Sequence, residues 1–187
     1  TQLHYYFDFE KNLHDILRLV TVGSKRFLTT KVDRSVTGLI AQQQTVGPLQ
    51  IPLADVAVVA QSHFETTGIA SAIGEQPLKG FTDMKAMVGM TVGEMLTNLV
   101  WAKISRFEDI KCSGNWMWPF KGSDDKYLLY RAVSCLSELL IGLGISIDGG
   151  KDSLSMSSRV KNEVVKSPRT LVMSAYVRCP DVTQVIT

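Results

Sequence analysis

The stretch Met90-Thr91-Val92-Gly93-Glu94-Met95-Leu96-Thr97-Asn98-Leu99-Val100-Trp101 decides how this chain is read. At about 100° per residue, Val88, Val92, Met95, Leu96 and Leu99 share one side of a helix. Met87, Met90 and Trp101 share the opposite side, and Glu94 and Asn98 stand between the two. A helix that is apolar all round is expected to be covered on both sides. The carboxylate and the carboxamide one turn later therefore need a partner, whether a cation, a buried Lys or Arg, or water. Thr82-Asp83 supplies capping oxygens, so the helix is expected to start there and run to about Trp101.

Upstream, Leu53 to Ala60 (LADVAVVA) is short, β-branched and bounded by Pro52, the pattern of a strand covered on both faces. Asp55 is its single charge. Thr37 to Val46 predicts a second strand, closed by Gly47-Pro48. Thr66 to Pro77 is rich in Gly, Ala and Ser and ends in a turn. Asp8 to Val20 carries Phe9, Leu13, Ile16, Leu17 and Val20 at helical spacing, with Asp8 as N-cap. The basic segment from Gly23 to Val36 fits a loop with a short helix or strand.

Downstream, Asp109 to Trp118 is strand-like, interrupted by Ser113-Gly114-Asn115 and ended by Pro119. Ser123-Asp124-Asp125 is expected to cap a third helix. Its apolar positions (Leu128, Leu129, Ala132, Val133, Leu136, Leu139, Leu140, Leu143) follow the 3.6-residue period. Gly142 and Gly144 are expected to stop it. Ile145 to Ile147 predicts a short strand, followed by a glycine-rich turn from Asp148 to Ser153. After a charged turn from Lys161 to Arg169, Thr170 to Val177 predicts a final strand. Strands and helices alternate only in part, so the fold class is α+β: a mixed sheet with long helices on one face.

Composition narrows the function classes. The 187 residues are 45% hydrophobic and 20% charged, which suits one soluble globular domain. A net charge of +2 without a basic run gives no reason to expect nucleic acid. Cys112, Cys135 and Cys179 are far apart and form no CxxC, which points to neither a disulfide framework nor zinc and favours a reducing, cytoplasmic setting. No apolar run reaches about 18 residues, so no membrane span is expected, and the first residues show no signal-peptide core. The chain begins without Met, as a piece of a longer protein would.

Three features bear on chemistry. Asp55, Glu94 and Asn98 offer hard oxygen ligands of the kind Mg²⁺ takes alongside water and phosphate. The competing reading pairs Glu94 with a Lys or Arg and has Asp55 cap a turn. The segment Asp148-Gly149-Gly150-Lys151-Asp152-Ser153 exposes backbone N–H groups to an anion, with Lys151 and Ser153 adding charge and a donor. It lacks P-loop spacing, and Asp-Gly-Gly is equally a hairpin turn. Around Asn115, Trp116 and Trp118 alternate as core residues do, with Asn115 the exception. His4, His14 and His63 share no metal spacing.

The segments KVDRSVTGLIAQQQTVGPLQIPLADVAVVA, GEQPLKGF, GEMLTNLVWA, DIKCSGNWMWP, IDGGKDSLSM and LVMSAYVRCPDVT, in this order, resemble the large single-chain phosphoribosylformylglycinamidine synthases of purine biosynthesis. The likeness is to the N-terminal half of the second of two repeats similar to aminoimidazole ribonucleotide synthetase. It implies an ATP- and glutamine-dependent C–N ligase acting on a small-molecule substrate, formylglycinamide ribonucleotide. It also implies Mg²⁺ held on an adenine nucleotide by Asp55, Glu94 and Asn98, with Ala54 and Asp55 beside the nucleotide, at an auxiliary rather than a catalytic site.

Asn115 and Gly149, Gly150, Lys151, Asp152 and Ser153 match a loop that faces substrate in related synthetases, although Lys151 and Asp152 depart from the smaller enzymes' pattern. No catalytic residue is assigned. The implied partners are the first repeat, the C-terminal half-repeat and the glutaminase of the same protein. Without them, the chain is expected to be inactive and open to self-association through an uncovered sheet face. Residues 1–22 are expected to be a linking helix and 23–187 the synthetase-like domain. An alternative is a relative that keeps the fold only for protein interaction.

Overall fold

A computed structural model describes residues 8–20, 22–23, 37–43, 48–49 and 55–186. The segment from Ser24 to Val36 and residue Ala54 lie outside these, as do the ends of the two strands predicted upstream.

The central helix, α2, spans Met84–Leu99 and follows α1, Phe9–Arg18. Asp83 caps α2 by accepting from the Lys85 and Ala86 amides at 2.8 and 3.1 Å. Met87, Val88, Val92, Met95 and Leu99 are buried. Covering of the far side is only partial: Met87 is buried, but Met90 is 44% and Trp101 56% exposed, and α2 ends two residues before Trp101. Long apolar side chains on the outer side made the helix read as fully covered. Asp8 caps α1 as expected, but α1 has no buried residue.

α2 lies on a mixed sheet of strands β1 (Leu39–Gln42), β2 (Val56–Ala60), β3 (Gly68–Glu75), β4 (Lys111–Met117), β5 (Ser146–Ser153) and β8 (Thr170–Cys179), in the order β1-β2-β3-β8-β4-β5. Only β4 and β5 pair in parallel. Between them in the chain, α3 (Ser123–Leu143) makes the crossover and packs Ala132, Leu136 and Leu140 into the core. β6 (Ser157–Val160) and β7 (Glu163–Lys166) form a separate hairpin.

The Gly-, Ala- and Ser-rich segment is the full strand β3. Its buried face carries only Gly68, Ala70, Ala72 and Gly74, while Ile69, Ser71, Ile73 and Glu75 are exposed. The inward residues are small because α2 sits almost on the backbone. A Cβ on Gly74 would stand 2.1 Å from the Thr91 carbonyl oxygen and 2.6 Å from the Met95 amide nitrogen. On β8 the inward residues are larger: Leu171, Met173, Ala175, Val177 and Cys179.

Three further expectations are corrected. β4 runs through Ser113-Gly114-Asn115 without a break, because β8 on one side and β5 on the other satisfy its backbone. The glycine-rich segment is not a turn: Asp148 to Ser153 completes β5, and a Cβ on Gly150 would stand 2.4 Å from the Gly114 carbonyl oxygen. The charged segment after Val160 is the second half of a hairpin, with Lys161 at positive φ in its tip.

The third helix is capped at Gly122, and Asp125 does not serve as a cap. Its side chain is fully buried, accepting from Lys166 at 2.6 Å, from Arg169 at 2.6 and 3.1 Å and from the Lys121 amide at 3.3 Å. Burial alone would raise its pKa, but the two cations and the amide hold it down at about 2. Beside it, Trp118 is fully buried and donates its indole N–H to the Asp125 carbonyl at 2.9 Å. Gly144, at φ 71°, ends α3, whereas Gly142 is an ordinary member of its last turn.

Candidate functional site

Two of the oxygen-bearing side chains singled out in the sequence, Glu94 and Asn98, meet the end of β3. Glu94 and Asn98 are one turn apart on α2, which is seated over β3 by the close approach at Gly74. Asn98 donates its amide N–H to the Ile73 carbonyl at 2.9 Å. That carbonyl only accepts, so the Asn98 nitrogen must face it and the Asn98 oxygen is turned the other way. Glu94 accepts through Oε2 from the Glu75 amide at 2.8 Å and from Gln76 Nε2 at 3.0 Å. Val56 of β2 pairs with Ala72, so Asp55, one residue earlier, enters the sheet beside Ile73.

The competing reading, in which Glu94 is neutralised by a Lys or Arg, is not what the fold does. Among the described residues no basic side chain bridges Glu94, and both of its donors are neutral. Asp55 is exposed, Glu94 is half-buried with Oε1 left over, and the Asn98 oxygen is turned away from Ile73. Two carboxylates and a carboxamide suit Mg²⁺, which keeps waters and phosphate oxygens in the rest of its shell.

The second group lies elsewhere. Asn115 of β4 pairs with Lys151 of β5, and Met117 with Ser153. Lys151 Nζ donates to Ser153 Oγ at 2.8 Å and to the Asp152 carbonyl at 3.1 Å. The half-buried Asn115 has an Oδ1 without a hydrogen-bond partner. Glu75, Val172, Asn115 and Lys151 form one row across β3, β8, β4 and β5. Three inter-strand steps of about 4.8 Å place Lys151 about 14 Å from the end of β3. The two groups lie along the same sheet, but they do not form one site.

Sequence reasoning missed Gln76 and Tyr176. Gln76 stands in the GEQP word, yet no spacing marks it as a partner of Glu94. The Tyr176 hydroxyl donates to the Asp148 carboxylate, a hydrogen bond that raises the tyrosine pKa. Neither pairing is local in sequence: the first depends on how α2 packs on β3, the second on how β5 and β8 flank β4. On the helix side of β5, a groove of about 550 Å³ is lined by Trp116, Val133, Leu136, Ile141 and Ile147 together with Gly149, Gly150, Lys151 and Asp152 of the second group, and takes in none of Asp55, Glu94 or Asn98.

This arrangement is an α+β domain, a mixed sheet with helices packed on it. A family model described as the FGAR-AT PurM_N-like domain matches residues 24–178, and the chain belongs to that family. It is 62% identical over 175 residues to a protein of Arabidopsis thaliana named probable phosphoribosylformylglycinamidine synthase, chloroplastic/mitochondrial, with 94% of this chain and 12% of that one covered. It is 54% identical over 175 residues to the Homo sapiens phosphoribosylformylglycinamidine synthase, covering 94% of this chain and 13% of the relative.

Among solved structures, Thermotoga maritima PurL complexed with ATP superposes with a TM-score of 0.61 at 15% identity, over 87% of this chain and 24% of that one, a likeness of fold alone. The chain thus spans about an eighth of the curated relatives' length. Among the described residues no helix is long and apolar enough to cross a membrane.

Proposed function

We propose that the chain is part of a phosphoribosylformylglycinamidine synthase, working in purine biosynthesis as an ATP- and glutamine-dependent C–N ligase. In this reading residues 1–22 link to preceding domains and 23–187 form the N-terminal half of a synthetase-like repeat. Asp55, Glu94 and Asn98 hold Mg²⁺ on an adenine nucleotide, ATP or ADP, with Ala54 beside it, at an auxiliary site. When bound, magnesium neutralises phosphate charge.

The observation that carries the reading is Glu94, fixed at the end of β3 by neutral donors, with a negative charge that no described residue balances. The names of the high-identity relatives and the ATP complex of the Thermotoga neighbour support it. Asn115, Gly149, Gly150, Lys151, Asp152 and Ser153 are assigned to the substrate side, where Lys151 and Ser153 supply donors for an anionic group. The remaining domains of the same protein complete both sites.

The test uses the full-length synthase, purified without added nucleotide. Glu94→Ala is expected to lose most of the bound adenine nucleotide and magnesium, measured by mass spectrometry and elemental analysis. Nucleotide and magnesium contents equal to those of the parent would refute the metal role.

A further inference from the structure

We infer that Gln76 is the positioning residue for Glu94, and that it works because it donates a hydrogen bond without adding charge. This deepens the magnesium reading above and rests on it. Glu94 Oε2 takes two donors, the Glu75 amide at 2.8 Å and Gln76 Nε2 at 3.0 Å. A carboxylate has about four lone-pair positions. Two donors on one oxygen fix its plane and leave the other oxygen, Oε1, available to hold a cation.

The Glu75 amide belongs to β3 and cannot move independently of the sheet. Gln76 is the adjustable half of the clamp, and its own backbone is restrained. Pro77 follows it as the first residue of a short 3-10 helix, Pro77–Phe81. A residue before proline is held out of the α region. Gln76 accordingly sits at φ −136° and is half-buried, with its side chain directed to α2.

The neutrality of the donor is as important as its geometry. A Lys or Arg at position 76 would make the same hydrogen bond and cancel the charge that attracts a divalent cation. Glutamine orients the ligand and leaves its charge in place. Groups that orient a metal ligand in this way typically contribute about 10- to 100-fold in metal affinity.

In the full-length synthase, three variants are compared: Gln76→Met, of similar volume but no donor; Gln76→Arg, which keeps a donor and adds charge; and Glu94→Ala as reference. ADP binding is measured by calorimetry with Mg²⁺ and again in EDTA, alongside thermal melting. Gln76→Met is expected to weaken Mg²⁺-dependent ADP binding about 10-fold or more, with binding in EDTA and the melting temperature unchanged. Gln76→Arg is expected to weaken it too, despite the retained hydrogen bond.

The inference is overturned if Gln76→Met binds Mg·ADP like the parent, or loses affinity equally with and without Mg²⁺ as its melting temperature falls. Parent-like behaviour of Gln76→Arg overturns the charge argument. If Glu94→Ala keeps its Mg²⁺ dependence, the magnesium site itself fails. If only Gln76→Met does, the site stands and the role of Gln76 falls.

Discussion

Replacing Gly74 with alanine tests how α2 is seated and, through it, the geometry of the candidate site. The new Cβ would lie 2.1 Å from the Thr91 carbonyl oxygen and 2.6 Å from the Met95 amide nitrogen, against a floor of 3.0 Å for real contacts. Both obstructing atoms are backbone, so no side chain can swing aside, and α2 must retreat by about 1 Å. Overpacking of this kind costs about 1–3 kcal/mol, and rigid neighbours put Gly74→Ala near about 3.

Removing a glycine from a strand returns about 0.5–1 kcal/mol. The clash wins, leaving a net loss of about 2 kcal/mol. For a chain of this size that corresponds to a fall in Tm of about 4–8 °C. The same retreat would stretch the 2.8 Å bond between the Glu75 amide and Glu94 beyond hydrogen-bonding distance. Scanning calorimetry of the 187-residue chain gives the Tm, and magnesium-dependent ADP binding in the full-length synthase reports on Glu94. A Tm equal to or above the parent's would refute the close seating of α2.

Asp125→Asn should cost about 2 kcal/mol at pH 7, because Lys166 and Arg169 lose their shared counter-charge while remaining partly able to rehydrate. The folded-state pKa of Asp125, about 2, lies below the ordinary carboxylate value. Its contribution is therefore fully present above about pH 4 and lost as pH falls toward 2. Urea titrations across that window should show the loss in the parent and not in Asp125→Asn. Burial pushes the Cys112 thiol up to about 11, so in native protein at pH 8 the half-buried Cys135 should label first, with Cys112 and Cys179 protected until unfolding. Mass mapping after a timed thiol reaction checks the order. Gly144→Ala forces a side chain into the left-handed cap of α3 at φ 71° and should cost about 1 kcal/mol in denaturant unfolding.

Legibility followed contrast between residues. α2 and α3 were readable because long apolar side chains recur every 3.6 residues, and β8 because its inward residues are large. β3 was not, since its buried face is built from Gly and Ala and so lacks the alternation that marks a strand. The start of β5 is legible at Ile145 to Ile147, but Asp148 to Ser153 reads as a turn because its glycines signal turns elsewhere, whereas here Gly150 serves close pairing with Gly114. Asp125 sat where a capping residue belongs, and nothing local tied it to Lys166, 41 positions away. Asp55, Glu94 and Asn98 were legible as unusual polar residues in apolar settings. The meeting of Glu94 and Asn98 with Glu75 and Ile73, and the part of Gln76 in holding Glu94, depend on how α2 packs on β3.

The position of β8 has a consequence for synthesis on the ribosome. It lies between β3 and β4 in the middle of the sheet, yet its residues are translated after those of every other strand of that sheet. Once Glu75 has been made, Thr170 is 95 residues away. At about 5–20 residues per second, that is a wait of about 5–19 s. During that interval β3 presents an unpaired edge beside a face carrying the exposed Ile69 and Ile73. The nascent chain is most vulnerable to chaperone capture or misassociation in that window, and arrest of translation before Thr170 would leave the sheet in two unjoined pieces.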